Sequence, residues 1–384
     1  MNRRRYLLAA WLAGALLAAG CGSAAGQTPA QPHQATPPSL ATSLVTKSGT
    51  WAVAVLGGSA ASHNNFWQLL VRPAGSGRWR LATPPGVASN GGLVLAGLSA
   101  GSVLAGFRPS QDLSYSPLAT STDTGRAWSP GLLDAALADV PGALAADPAS
   151  GHLVALLSDG TADTSGPGGT AWTRLATRQV IAGSPAGTRC GLGSLTAATF
   201  SPSGQPMLAA GCSRPGTVGI FSHTGGSWQL TGPQLPADYA HQPITVLRLT
   251  TSGGTTTALL AAGRAPAAHL LAAWSTDGGT HWTLSPALAL NRATLTAASS
   301  GSGSGLAVIL SGRHATTITS GANSWQAWPV LPTGTVTLAA GPAGGWNALA
   351  VHGTQLTIWQ AAPGARSWSS GQVIKVPVQF GSSG

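Results

Sequence analysis

All nine carboxylate side chains of this 384-residue chain are Asp, and Glu is absent. Two of them recur in one pattern. "STDTGRAW" sets Ser121, Asp123, Gly125 and Trp128 at the spacing that "STDGGTHW" gives Ser275, Asp277, Gly279 and Trp282. Alternating oxygen side chains suggest a calcium loop, but the later ligands such a loop needs, ending in a bidentate Glu, do not follow. The spacing suits a tight turn instead. Asp and Ser side chains accept backbone N–H bonds across such a turn, Gly supplies a positive φ, and Trp buries a large ring beneath it. Both Asp are therefore expected to be structural. The other seven (9 − 2) offer material for two-carboxylate glycosidase chemistry, yet no pair is spaced to suggest it. No nucleophile elbow, phosphate loop or His-rich motif occurs, so neither cofactor nor metal is expected.

The three Cys divide by position. "MNRRRYLLAAWLAGALLAAGC" places Arg3 to Arg5 before an apolar run, Leu7 to Ala19, and small residues before Cys21. That run is 13 residues, too short to span a bilayer. "LLAAGC" resembles a bacterial lipoprotein cleavage box. The resemblance implies a signal peptide over 1–20 and a lipid on Cys21, although Ala18 stands where the family usually has Leu. "RRYLL" is similar to a twin-arginine export signal, so the export route stays open. Residues 21–42, rich in Pro, Gln, Ala and Ser, read as a disordered tether. The protein is thus expected outside the bacterial cytoplasmic membrane, held there by its lipid. In that oxidising compartment Cys190 and Cys212 are expected to pair.

The formal charge is +10, and without the three leader Arg it becomes 16 − 9 = +7. The remaining Arg are scattered and form no basic run, which argues against nucleic acid as a partner. A mildly cationic surface suits an anionic cell envelope. Apolar residues make up 43% of the chain, enough for a core.

From residue 43 onward the chain cycles. Short apolar runs alternate with Gly/Ser/Pro turns, and each cycle ends near a Trp: Trp79, Trp128, Trp172, Trp228, Trp282, Trp325 and Trp368. The gaps are 49, 44, 56, 54, 43 and 43 residues. One cycle reads as four strands, "ITVLRLTT" (244–251), "TTTALLAAG" (255–263), "LLAAWSTD" (270–277) and "HWTLSPAL" (281–288). Helical periodicity and helix caps are missing throughout. This predicts an all-β chain, a β-propeller of four-stranded blades spanning 43–384 as a single domain and a monomer. Seven blades are expected, and six or eight fit the two long gaps as well.

The Ser-x-Asp-x-Gly-x-x-Trp pattern resembles the Asp-box of BNR-repeat propellers, a group that includes sialidases, sortilin-type receptors and photosystem assembly factors. Weaker copies stand where the period requires them. "SGPGGTAW" keeps Ser165, Gly169 and Trp172 but has Pro167 for Asp, and "FSHTGGSW" keeps Trp228 but has His223 there. The resemblance implies that the boxes are turns between third and fourth strands. Those turns share a face with the turns between first and second strands. The second-to-third turns and the blade connections then share the opposite face, where Cys190 and Cys212 also fall.

Four second-to-third turns carry an Arg: Arg108, Arg214, Arg264 and Arg313. With Tyr239 and His241 from a blade connection, they form the candidate ligand-binding set, suited to carboxylate or phosphate groups. Sialidases combine three Arg with a Tyr nucleophile activated by Glu, and an Asp acid. Without Glu that pair is not available here, and only Tyr115 and Tyr239 follow the leader. "FRPS" (107–110) is similar to the sialidase Phe-Arg-Ile-Pro segment but lacks its Ile. The sequence therefore reads as a non-enzymatic binding or scaffold protein for an envelope protein or anionic glycan. A sialidase-like or other glycoside hydrolase is the alternative, and a cell-surface sensor or assembly factor is another.

Overall fold

A computed structural model describes residues 41–57, 65–87, 92–98, 101–107, 118–130, 141–167, 169, 171–301, 304–311 and 313–377. These residues lie within the compact unit Ala35–Gly384. Along them run seven four-stranded antiparallel meanders. Blade 1 comprises Ser43–Thr46, Gly49–Leu56, Phe66–Pro73 and Arg80–Leu81. Blade 2 comprises Leu93–Gly97, Val103–Phe107, Leu118–Ser121 and Ser129–Pro130. Blade 3 comprises Ala143–Ala146, Leu153–Leu156, Thr161–Ser165 and Trp172–Thr177. Blade 4 comprises Leu192–Phe200, Pro206–Cys212, Gly219–Thr224 and Ser227–Leu230. Blade 5 comprises Ile244–Ser252, Thr255–Ala262, His269–Ser275 and Thr283–Leu284, with Leu288–Ala289 also paired to its third strand. Blade 6 comprises Leu295–Ser300, Leu306–Leu310, His314–Ile318 and Gln326–Ala327. Blade 7 comprises Thr335–Ala340, Trp346–His352, Gln355–Ala361 and Ser369–Lys375.

The second strands explain the apolar runs. "GTWAVAVL" and "LAVIL" are buried along their whole length, because each blade is covered on both sides by its neighbours. Trp51 packs with Leu93 and Val103 between blades 1 and 2. Leu104 meets Leu153 between blades 2 and 3, and Val154 meets Leu208 between blades 3 and 4. Met207 meets Val246, Leu259 meets Val308, and Ile309 meets Leu338 across the next three junctions. Leu70 and Trp79 then pack with Leu349 and Ile358, returning from blade 7 to blade 1. A cycle of shared cores that closes on itself is a β-propeller, and closure leaves few exposed sheet edges. Arg72 adds a bond across the closing junction, donating to the carbonyl of Ala340 at 3.0 Å.

Blades 4 and 5 are more tightly joined. Gly211 pairs with Thr245 and Cys212 with Ile244, so the two sheets run into one another. Cys190 and Cys212 form the expected disulfide.

The expectation that helices are missing is corrected by the connection between blades 3 and 4. It folds as helix α1 (Arg178–Gly183) and helix α2 (Pro185–Cys190). The hydroxyl of Thr177 caps α1 by accepting from Val180 N–H at 3.2 Å, and that of Ser184 caps α2 by accepting from Gly187 N–H at 3.1 Å. Pro185 occupies the first turn, and Gly191 closes α2 at φ 62°. Each helix is six residues, too short to display a 3.6-residue apolar period. These helices fill the 56-residue gap between Trp172 and Trp228.

Candidate binding surfaces: the channel and the two ring faces

The two acidic turns are self-contained. The hydroxyl of Ser121 donates to Asp123 Oδ1 at 2.9 Å and accepts from Gly125 N–H at 2.7 Å. Asp123 Oδ1 also accepts from the N–H groups of Arg126 (2.9 Å) and Ala127 (3.0 Å). Gly125 sits at φ 80°, and a Cβ there would stand 2.7 Å from Ala82 Cβ. The second turn repeats the plan. Ser275 donates to Asp277 at 2.9 Å and accepts from Gly279 N–H at 2.9 Å, and Asp277 accepts from His281 N–H at 2.9 Å. The N–H of Ala127, then the Ser121 hydroxyl, holds the Asp123 carboxyl below its usual range. The backbone and ring of His281 hold that of Asp277 lower still. These carboxylates are occupied by the turns, as their spacing implied.

The Trp that ends each turn does more than fill space. Its indole N–H reaches the backbone just past the outer strand of the preceding blade. Trp128 donates to Ala82 O at 3.0 Å and Trp282 to Thr231 O at 2.7 Å. Trp325 donates to Pro286 O at 2.8 Å and Trp368 to Pro329 O at 3.0 Å. The weaker copies depart from this rule. Trp172 donates to Gly169 O within its own turn, and Gly225–Gly226 makes a tight hairpin with both φ positive.

First strands of successive blades line a central channel. A cavity of about 210 Å³ touches residues of blades 1 to 6, among them Ser43, Leu95, Leu144, Thr196, Arg248 and Ser300. A second cavity of about 430 Å³ continues from it toward the first-to-second turns at Lys47, Gly101 and Gly253. No carboxylate lies among the described residues that line either space. Neither Asp123 nor Asp277 faces it. Arg248 is the one Arg among the described residues that line it, and the sequence marks it only as part of a strand. Its Nη1 donates to Ala298 O at 2.8 Å and to the hydroxyl of Thr42, and its Nη2 lies 3.4 Å from both Ser43 O and the Ser300 hydroxyl. Burial lowers Arg248 to about 10. Arg248 therefore braces blade 5 against blade 6 and against the segment that opens blade 1.

The alternation of antiparallel strands defines two faces. The acidic turns and the first-to-second turns form the turn face. The second-to-third turns and the blade connections form the connection face. Arg214, Arg264 and Arg313 all lie in second-to-third turns and are exposed. Arg313 donates to the Thr333 hydroxyl at 2.8 Å. Tyr239 lies in a short 3-10 turn, Ala237–Tyr239, between blades 4 and 5. Its ring meets His269 edge-on at 5.9 Å, and burial, then Asp238, pushes its phenol up. His241 is exposed two residues on. Topology therefore brings these five residues to one face. Arg108, Cys21, residues 1–20 and the tether to residue 40 lie outside the described residues.

Further residues of this face were missed. Arg178 and Arg189 come from the helices, and Arg292 from the connection between blades 5 and 6. Val180 and Val330, exposed by 61% and 59%, also stand in blade connections. Val373, exposed by 58%, lies toward the same end of the last strand. Only their position after even-numbered strands could have marked them in the sequence.

No family model matches the chain, and no curated protein matches it. Solved structures with a similar fold include YCF48 from Cyanidioschyzon merolae, at 14% identity and TM-score 0.47, covering 85% of this chain and 94% of that one. A fucose-specific lectin from Aleuria aurantia is similar at 15% identity and TM-score 0.41, covering 89% and 96%. A GH74 xyloglucanase from Xanthomonas campestris is similar at 17% identity and TM-score 0.48, covering 81% of this chain and 50% of that one. At these identities the likeness is one of fold.

Proposed function

We propose that this β-propeller is an exported, lipid-anchored binding protein that holds an anionic component of the bacterial envelope on its connection face. The observation that carries this reading is the set of exposed Arg214, Arg264 and Arg313 on one face. Guanidinium groups suit carboxylate and phosphate oxygens. The signal-like leader and Cys21 support the anchor. The hydrogen-bonded turns at Asp123 and Asp277 support kinship with Asp-box propellers, in which such turns are structural. Binding is favoured over hydrolysis because the described channel lining offers Arg248 where a glycosidase needs two facing carboxyl groups.

Photo-crosslinking in whole cells tests the reading. A crosslinker placed at Ala267, beside Arg264, should capture an envelope component, and one at Thr280, in an acidic turn, should not. Mass spectrometry of the N-terminal peptide should find a diacylglyceryl group on Cys21. Equal capture from both faces would defeat the binding assignment, and an unmodified Cys21 would defeat the anchor. Turnover of aryl glycosides by the purified protein would restore the hydrolase reading.

A further inference from the structure

Arg side chains and exposed apolar groups are distributed unequally between the two faces. Among the described turns and connections, the connection face carries Arg178, Arg189, Arg214, Arg264, Arg292 and Arg313 against Asp159 and Asp238, or 6 − 2 = +4. The turn face carries Lys47, Arg78, Arg126 and Arg366 against Asp123, Asp147 and Asp277, or 4 − 3 = +1. Arg108, Asp112, Asp134 and Asp139 lie outside the described residues. By sequence they fall in the second-to-third turn of blade 2 and the connection from blade 2 to blade 3, and add 1 − 3 = −2. The faces therefore differ in Arg number, six described against three, more than in net charge, +2 against +1. The three large apolar side chains found exposed among the described residues, Val180, Val330 and Val373, all belong to the connection side. Arginines with exposed aliphatic groups between them are the combination that an anionic lipid surface recognises. Headgroup phosphates take the guanidiniums, and the aliphatic groups leave water at the acyl boundary.

The path of the chain points the same way. Ala41 makes a parallel bridge to Ala297, near the start of the first strand of blade 6, and Val53 N–H reaches Thr42 O at 2.9 Å. First strands begin at the connection face, so the polypeptide enters the ring there. From Cys21 to Ala41 is 41 − 21 = 20 residues, a leash of at most roughly 70 Å. A lipid on Cys21 would therefore tether the ring through this face, within reach of the bilayer.

We propose that the connection face is a membrane-docking surface, and that the anionic component it holds is the phospholipid bilayer itself. The arginines sit at the headgroups, and Val180 and Val330 sit at the acyl boundary. This rests on the binding reading above and replaces its open ligand with one source. The channel mouth ringed by the first-to-second turns then faces outward.

Hydrogen exchange followed by mass spectrometry on the exported full-length protein tests this. Vesicles of phosphatidylcholine alone are compared with vesicles containing 30% phosphatidylglycerol. Peptides covering 178–190, 213–217 and 263–268 should gain protection only with phosphatidylglycerol, and lose it as salt is raised to about 0.5 M. The variant Arg189→Gln/Arg214→Gln/Arg264→Gln/Arg292→Gln should bind those vesicles on the order of 100-fold more weakly. Lys47→Gln/Arg78→Gln/Arg126→Gln/Arg366→Gln, equal in charge removed, should bind within about threefold of the parent. Protection on the turn face, equal protection with phosphatidylcholine alone, or equal loss in both variants would overturn the proposal. So would vesicles that protect nothing while the Ala267 crosslink captures a protein, and that outcome would leave the binding reading intact. Lipid on Cys21 is read separately by mass, so a missing anchor and a missing docking surface give different results.

Discussion

Gln372 grips Trp79 at two points. Its Oε1 accepts from Trp79 N–H at 2.8 Å, and its Nε2 donates to Trp79 O at 2.7 Å. Trp79 precedes the outer strand of blade 1, and Gln372 lies in the outer strand of blade 7. Each blade is built from one contiguous stretch of chain, so no strand crosses from the first blade into the last. The ring is held shut there by side chains, and this pair supplies backbone-like bonds between sheets that share no ladder. Gln372→Ala should lower stability by about 2 kcal/mol, through two lost bonds and the exposed backbone groups left behind. Gln372→Glu keeps the acceptor for Trp79 N–H but sets an oxygen against Trp79 O, so it should do no better. Urea midpoints of the parent and both variants measure this. A change within 0.5 kcal/mol for both would mean that the apolar core alone closes the ring.

The disulfide joins α2 to the second strand of blade 4 across a sequence separation of 22 residues. Reduction, or Cys190→Ala with Cys212→Ala, should cost about 3 kcal/mol. The loss should be seen first at the helices, because they belong to a connection and not to a sheet. Limited proteolysis with and without reductant should place the earliest new cleavage within 178–190. Cleavage appearing first in another blade would show that the bond does not govern this region.

The acidic turns predict a response to acid. Asp277 is held below its ordinary range in the folded chain, chiefly by the backbone and ring of His281. Its contribution is therefore complete above about pH 4 and is lost as pH falls below that value. Asp277→Asn keeps an oxygen for the turn but has no charge to lose. The melting temperature of the parent should exceed that of the variant at pH 6, and the difference should shrink between pH 4 and pH 2. A difference that stays constant with pH would remove the electrostatic part of this account.

Arg248 spans three segments at the channel wall. Arg248→Ala should destabilise the chain by about 3 kcal/mol, because Ala298 O and Ser43 O lose their charged donor. Cleavage by trypsin at Lys47 should quicken at the same time, since the opening strand loses its brace. Unchanged cleavage at Lys47 would show that the ladder to Gly49–Leu56 suffices to hold it.

Much of this was legible in the chain. Trp spacing marks the blades because four of the indoles, Trp128, Trp282, Trp325 and Trp368, reach the same place on the blade before them. Strand alternation puts Arg214, Arg264 and Arg313 on one face, and the disulfide was expected from the oxidising compartment that the leader implies together with the placing of both Cys on that face. Arg248 shows what local reading misses. It is the one charge in "ITVLRLTT", and strict alternation from Ile244, Val246 and Arg248 would put it with the buried side chains. A bulge between Val246 and Arg248 shifts the register and turns the guanidinium to the channel. No residue nearby announces that bulge, although the first strands of blades 4, 6 and 7 share its position. The helices were missed because each is shorter than two apolar periods. Gln372 was missed because its partner lies 293 residues away.

The bridge from Ala41 to Ala297 has a mechanical side. A tug on the polypeptide ahead of Ala41 runs nearly along the strand Ser43–Thr46. It loads the rungs to Gly49–Leu56 together, in shear, where a sideways pull would unzip them one at a time. Arg248 adds a cross-tie to two further sheets at the point where force arrives. A load applied through the lipid proposed on Cys21 would therefore meet several bonds at once.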